Sequence, residues 1–183
     1  ELTMKPGSHH SYSNGNYAVL AAIVEEISGM SFENYIEENI FRPAGMGFGN
    51  PNEYKNLPKA IRYSHSAVND PLALKPVSPV ADSANDIQFE YSGYSNGYLT
   101  TEDVYKFMYS LRQGKLLSKE MVELLTAGKV NVEDGIPVKY AYGFYDANMW
   151  GVNMRGHSGG GGNSGIGAEA EMLWNNNFYI IVL

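Results

Sequence analysis

No cysteine occurs in the 183 residues. That excludes disulfide cross-links, thiol nucleophiles and zinc–thiolate sites from this stretch, and it leaves the compartment open. Charge is also sparse. Only 18% of residues are Asp, Glu, Lys or Arg, and 13 basic residues against 20 acidic ones give a formal net charge of −7. A nucleic-acid partner requires a basic face, so that class of partner is excluded. No apolar run reaches the length that crosses a bilayer. The four histidines, His9, His10, His65 and His157, lack the spacing of zinc ligands, and neither a metal nor a cofactor is assigned. There is no internal repeat and no block of like charge.

What remains is a chain with 44% hydrophobic residues, 20 glycines and 14 tyrosines. Its length and apolar content are enough to build a core, so it is read as globular. Most of the tyrosines are read as packing on half-buried strands. The organising stretch is Pro6-Gly7-Ser8-His9-His10-Ser11-Tyr12-Ser13-Asn14-Gly15-Asn16-Tyr17. A Pro-Gly turn opens it and a polar run follows. Tyr17, Leu20, Ala21, Val24 and Ile27 then recur at helical spacing. This pattern predicts a helix over about 16–28 with Gly29 as a left-handed cap, and it sets Tyr12 and Asn14 on a loop at the helix mouth.

Ser31 is expected to cap a second helix carrying Phe32, Tyr35, Ile36 and Ile40, with Arg42-Pro43 as its stop. Residues 48–98 hold five scattered prolines and little periodicity, and are read as a long loop forming a binding wall, with Tyr91 and Tyr94 available to line it. Thr101 is the expected N-cap of a helix bearing Val104, Phe107, Met108 and Leu111 and closed by Gly114. Ser118 caps a further helix bearing Met121, Leu124 and Leu125, closed by Gly128. Four short aromatic and β-branched segments follow, at 140–145, 149–155, 167–174 and 178–183, and predict an antiparallel meander. Helices first and strands last make the class α+β. The chain is read as one partial domain over 1–183, with a mainly helical part over 1–128 and antiparallel strands over 140–183. It ends within the apolar run Tyr179–Leu183 and begins without an element of its own. The expectation is therefore a domain incomplete at both ends, whose bare sheet edges favour self-association.

The partner stretch for Tyr12 and Asn14 is Gly156-His157-Ser158-Gly159-Gly160, read as a Gly-rich loop at a strand end where a ligand can approach backbone N–H groups. Several motifs there are decoys. Gly160-x-Gly162-x-x-Gly165 has the dinucleotide-binding spacing, but a strand rather than a helix follows it. Gly156-x-Ser158-x-Gly160 has the nucleophile-elbow spacing, yet no histidine follows His157 to complete a triad. The run Gly-His-Ser-Gly-Gly is similar to the serine loop of trypsin-like proteases, but nothing upstream reads as two β-barrels.

Taken together, four segments in order resemble the penicillin-recognising serine hydrolases: class C β-lactamases, D-alanyl-D-alanine carboxypeptidases and related esterases. They are Pro6-Gly7 with Tyr12-Ser13-Asn14 and Tyr17; the run from Gly29 through Ser31-Phe32, Tyr35-Ile36, Ile40-Phe41 and Pro43 to Gly45-Met46; Thr100-Thr101-x-Asp103-Val104 with Gly114-Lys115-Leu116-Leu117-Ser118; and Gly156-His157-Ser158-Gly159-Gly160, a His-x-Gly version of a Lys-Thr-Gly motif.

The resemblance implies a β-lactamase/transpeptidase-like fold. It also implies a serine that forms an acyl-enzyme with an amide, ester or β-lactam, on a small-molecule or peptide substrate. Tyr12 would shuttle the proton, although a tyrosine titrates near ~10 and needs nearby positive charge to act as a base. Asn14 would hold the substrate amide and orient a lysine, and His157 would support the substrate carboxylate or the proton network. Ser158, Gly159 and Gly160 would line the substrate, with the Gly160 N–H as an oxyanion donor. A periplasmic, cell-surface or secreted location follows from the same resemblance.

The chain departs from the family at one decisive point. No serine in it is followed three residues later by lysine, so the Ser-x-x-Lys nucleophile motif is absent. The expectation is a fragment that is inactive alone, the motif lying upstream. The alternative is a non-catalytic peptidoglycan-peptide-binding or regulatory domain on the same fold. A third reading makes Ser158 the nucleophile of an unrelated hydrolase.

Overall fold

The computed structural model describes residues 4–47, two short strands at 63–65 and 74–76, Gly93, and residues 99–160 and 167–183. The anticipated binding wall over 48–98, with Tyr91 and Tyr94, lies outside the described residues apart from those strands and Gly93, and so do Gly162 and Gly165.

Helix α1 spans Asn14–Ser28, with Ser13 as N-cap and Gly29 in the left-handed conformation at φ 70°. Its start is two residues earlier than periodicity indicated, so Asn14 is the first helical residue and not a loop residue. α2 spans Phe32–Ile36, and the Ser31 side chain accepts from the Asn34 N–H. A π-helical turn, Glu37–Phe41, runs on from α2, and the short α3 (Arg42–Ala44) ends at Gly45, φ 73°. Pro43 therefore does not stop the helix where sequence reasoning put the stop. It occupies the first turn of α3, where its missing N–H costs nothing. Ile36, Phe41, Ala44 and Met46 form a buried cluster against which Phe32, Tyr35, Phe107 and Leu116 pack.

Strands β1 (Tyr63–His65) and β2 (Leu74–Pro76) pair antiparallel. α4 spans Thr101–Arg112 and is capped by Thr100, not by Thr101. The reason is a reciprocal capping box. The Asp103 N–H donates to the Thr100 hydroxyl, the Asp103 carboxylate accepts from the Thr100 N–H, and it also accepts from the Gly47 N–H at 2.8 Å. One buried carboxylate thus ties α4 to the end of α3. α5 spans Lys119–Thr126 and is capped by Ser118. Gly128 is not its cap, as the sequence reading had it. Its N–H donates to Asp146, and a Cβ there would strike the Lys139 side chain.

The second half is one six-stranded antiparallel meander in sequence order: β3 (Val130–Asn131), β4 (Val138–Tyr140), β5 (Tyr145–Met149), β6 (Val152–Gly160), β7 (Gly167–Leu173) and β8 (Phe178–Val182). The meander was anticipated with four strands. The run 140–145 is in fact a strand end, a turn through Gly143 at φ 84°, and the start of β5. The run 149–155 is broken at Trp150-Gly151, both at positive φ. The segment taken as a Gly-rich loop, 156–160, is the second half of β6. Glycine weakens strand propensity, but here pairing with β7 through Gly160↔Gly167 overrides it.

Gly156 shows why glycine is needed inside that strand. It lies opposite Glu171 of β7, and a Cβ would collide with the Ala170 carbonyl and the Glu171 carboxylate. Glu171 Oε2 is enclosed with no hydrogen-bond partner among the described residues. Burial first, and then the neighbouring Glu169 carboxylate, pushes the Glu171 carboxyl up to about 7. Between the ordinary carboxylate pKa and 7, the folded chain therefore holds more protons than the unfolded one, and stability falls as pH rises through that window. Denaturation midpoints measured from pH 4.5 to 7.5 should decline, and Glu171→Gln should flatten the decline. An unchanged slope in that variant would refute the assignment.

Candidate active site

The site is assembled where the loop before α1 meets the sheet. Gly7 turns the chain at φ 76°, and the Ser8 hydroxyl donates to the Lys5 carbonyl at 2.7 Å. The chain then bends at Ser8-His9 and runs without regular structure to Ser13, itself extended at φ −151° and ψ 118°. This path sets Tyr12 just outside the helix, 54% exposed, with its ring centroid 6.0 Å from that of His157 and 6.5 Å from that of Tyr140.

The opposite wall is β6. Its ladder with β5 ends at Tyr145↔Gly156, whereas its ladder with β7 continues to Gly160. From His157 onward, then, one edge of the strand carries no partner among the described residues. Its backbone N–H and C=O groups can meet an extended ligand by strand addition. Ser158, Gly159 and Gly160 are exposed on this edge, and Gly160 adopts φ 89°.

His157 is held from three sides. Its Nε2 lies 3.3 Å from the Tyr140 hydroxyl, and its ring centroid lies 5.0 Å from that of Tyr145. Its Nδ1 lies 2.5 Å from the Ser158 carbonyl. The Tyr140 hydroxyl is in turn 3.2 Å from the Tyr17 hydroxyl of α1. Burial first, and then the Tyr17 hydrogen bond, raises the Tyr140 pKa far above the ordinary phenol value, so Tyr140 is a neutral hydroxyl throughout the working pH range. Burial also raises Tyr145. Gly143, at φ 84°, lies against this pair, and a Cβ there would sit 3.3 Å from the Tyr17 hydroxyl, which would have to give slightly.

The structure thus brings Tyr12 and His157 together and puts Ser158, Gly159 and Gly160 on the adjoining strand edge. Asn14 opens α1 as an exposed residue whose side chain forms no hydrogen bond among the described residues. Ser158 sits within a strand and not on a strand-to-helix turn, which removes the nucleophile-elbow reading. Sequence reasoning missed Tyr140 and Tyr145 and took Tyr17 for helix packing. Their shared hydrogen bonds and ring contacts join α1, β4, β5 and β6, and no local spacing carries that information.

A helical layer on an antiparallel meander, with a His-Ser-Gly strand edge turned toward a Tyr-Ser-Asn helix mouth, places this molecule among the penicillin-recognising serine hydrolases. The Beta-lactamase family model matches residues 1–182, and the chain belongs to that family. It is 34% identical over 140 residues to the putative penicillin-binding protein PbpX of Bacillus subtilis, covering 74% of this chain and 31% of that protein. It is 26% identical over 184 residues to a teichoic acid D-alanine hydrolase of Staphylococcus aureus, covering 95% of this chain and 39% of that protein. The octameric penicillin-binding protein homologue of Pyrococcus abyssi superposes with a TM-score of 0.75 at 25% identity, covering 98% of this chain and 39% of that one. The chain therefore spans well under half the length of these relatives. Among the described residues no helix is long and apolar enough to cross a membrane.

Proposed function

We propose that these residues form the binding half of a serine hydrolase that opens D-amino-acyl esters or amides through an acyl-enzyme, in a protein of the cell envelope or its exterior. The single observation that carries this reading is the pairing of Tyr12 with the one-sided β6 edge at His157–Gly160. An acyl substrate lies along that edge, with its carbonyl oxygen at the Gly160 N–H and its carboxylate or ester tail toward His157. Tyr12 accepts the proton of the attacking serine and returns it to the leaving group, and Asn14 reaches the substrate amide. The D configuration of the acyl group is taken from the similar teichoic acid D-alanine hydrolase of Staphylococcus aureus.

No Ser-x-x-Lys occurs in these 183 residues. The reading therefore requires that the full protein supply the serine and a lysine whose charge favours the Tyr12 phenolate. The edge of β8 pairs only with β7 among the described residues, so the same reading allows a further strand, from this protein or a second copy, to add there. Sedimentation of the 183-residue chain at rising concentration tests pairing between copies.

The deciding experiment is the intact mass after treatment with a serine-directed acylating probe. The full protein is expected to take up one equivalent, on a serine outside these residues, and the 183-residue chain none. No adduct on the full protein would favour a non-catalytic binding domain. An adduct on Ser158 would overturn the mechanism.

A further inference from the structure

The hydrogen-bond chain behind His157 has a direction. The Ser158 carbonyl can only accept, so the imidazole Nδ1 beside it must donate. In the neutral ring Nε2 is then an acceptor, and the hydroxyl 3.3 Å away, that of Tyr140, must donate to it. With its own O–H directed at Nε2, the Tyr140 oxygen still has a lone pair to accept with, and the Tyr17 hydroxyl at 3.2 Å donates to it.

We propose that Tyr140 is a positioning residue: backed by the Tyr17 hydroxyl, it donates to His157 Nε2 and holds the imidazole as the Nδ1–H tautomer with its ring turned to Tyr12. The packing supports this role. Tyr140 is clamped edge-on by Tyr145 at 4.9 Å and tilted against His10 at 4.9 Å, so its hydroxyl has little freedom to turn away.

The titratable groups facing His157 are Tyr12 from the N-terminal loop, Tyr140 from β4 and Tyr145 from β5, with Ala170 opposite on β7. The nearest charge along its own strand is Arg155, which Glu123 and Asp146 already engage. Among the described residues no charged side chain therefore competes with the hydroxyl for Nε2. A neutral, half-buried donor that is strongly biased against ionising reinforces the tautomer set by the strand carbonyl, whereas a carboxylate would pull the proton to Nε2 and reverse the ring's polarity. The consequence for catalysis is that His157 presents an imidazole of fixed orientation beside Tyr12. That consequence rests on the functional reading above, whereas the tautomer itself does not.

The test is made on the full protein, labelled with ¹⁵N-histidine, at pH 8, with His157→Gln identifying the signal. The wild-type ring should show a protonated Nδ1 and an unprotonated, hydrogen-bonded Nε2. A protonated Nε2, alone or together with Nδ1, would overturn the proposal without any further variant. Tyr140→Phe keeps the ring and its packing and removes only the donor. It should move the Nε2 signal to that of an unprotonated nitrogen without a hydrogen bond, while the Ser158 carbonyl keeps the proton on Nδ1, and an unchanged Nε2 signal would overturn the proposal. Tyr17→Phe leaves the donor in place and should shift the spectrum less than Tyr140→Phe; an equal or larger shift would overturn the order of the chain. Acylation by the serine-directed probe reports the functional reading separately, so either can fail without the other.

Discussion

Replacing Tyr12 by phenylalanine in the full protein is expected to lower kcat/KM for an ester or amide substrate by about 10²- to 10⁴-fold, the usual contribution of a positioned proton-transfer group. The fall should lie almost wholly in kcat. The ring of Tyr12 packs 6.0 Å from His157, and phenylalanine preserves that packing, so substrate binding loses little. Only the oxygen is removed, and with it the path by which a serine proton leaves during attack and returns to the leaving group. Stopped-flow acylation with an activated ester separates the two steps, and both should slow if one hydroxyl serves both. A variant with near wild-type kcat would show that Tyr12 is a wall of the cleft and not part of its chemistry. The half-exposed position of Tyr12 suits either role, and for that reason the kinetic split is needed.

The legibility of this molecule in its sequence differs from one half to the other. α1, α2 and α5 were readable because Ser31, Ser118 and Gly29 act locally, through a side chain or a left-handed backbone within four residues of the element they end. Pro43 and Thr101 misled for the same local reason. A proline at a helix start looks like a stop, and two adjacent threonines compete for a cap that is decided by Asp103 reaching back to Thr100. In the sheet, 156–160 read as a loop because glycine is a poor strand former, and register with β7 is not written in the segment itself. Tyr12 and His157 were singled out by motif order, and the fold brings their rings within 6.0 Å. The residues that hold His157 were not, because Tyr17 and Tyr140 meet across 123 positions and each looks like packing in its own element.

Arg155 provides the largest expected effect on stability, and it acts two residues along β6 from His157. Its side chain is 9% exposed and grips the Glu123 carboxylate of α5 with two hydrogen bonds, at 2.6 and 2.9 Å. It also donates to Thr126 at 3.1 Å, and its guanidinium lies 4.2 Å from the Trp174 ring centroid. Its Nε is 3.7 Å from Asp146, an ion pair too long for a hydrogen bond. This one planar fork therefore locks α5, the end of β7 and the β5–β6 ladder together. Arg155→Met keeps the aliphatic stem and leaves Asp146 partly buried without its cation, so the expected cost is about 3 kcal/mol, the lower end for breaking a buried pair. Asp146 moderates the loss because it keeps its bonds from Gly128 and Asn153, at 2.8 Å each. Lysine at 155 supplies the charge but not the two parallel N–H bonds, and should recover only part of the loss. The sign of the pH dependence is also fixed. Arg155 holds the Glu123 carboxyl below its ordinary range, first by hydrogen bonding, so that contribution is present above the ordinary carboxylate pKa and disappears as pH falls through the lowered one. Urea unfolding of wild type, Arg155→Lys and Arg155→Met at pH 7 and at pH 3.5 should show the gap between wild type and Arg155→Met narrowing on acidification. A gap that stays constant with pH would assign the stabilisation to the stack on Trp174 and not to the ion pair.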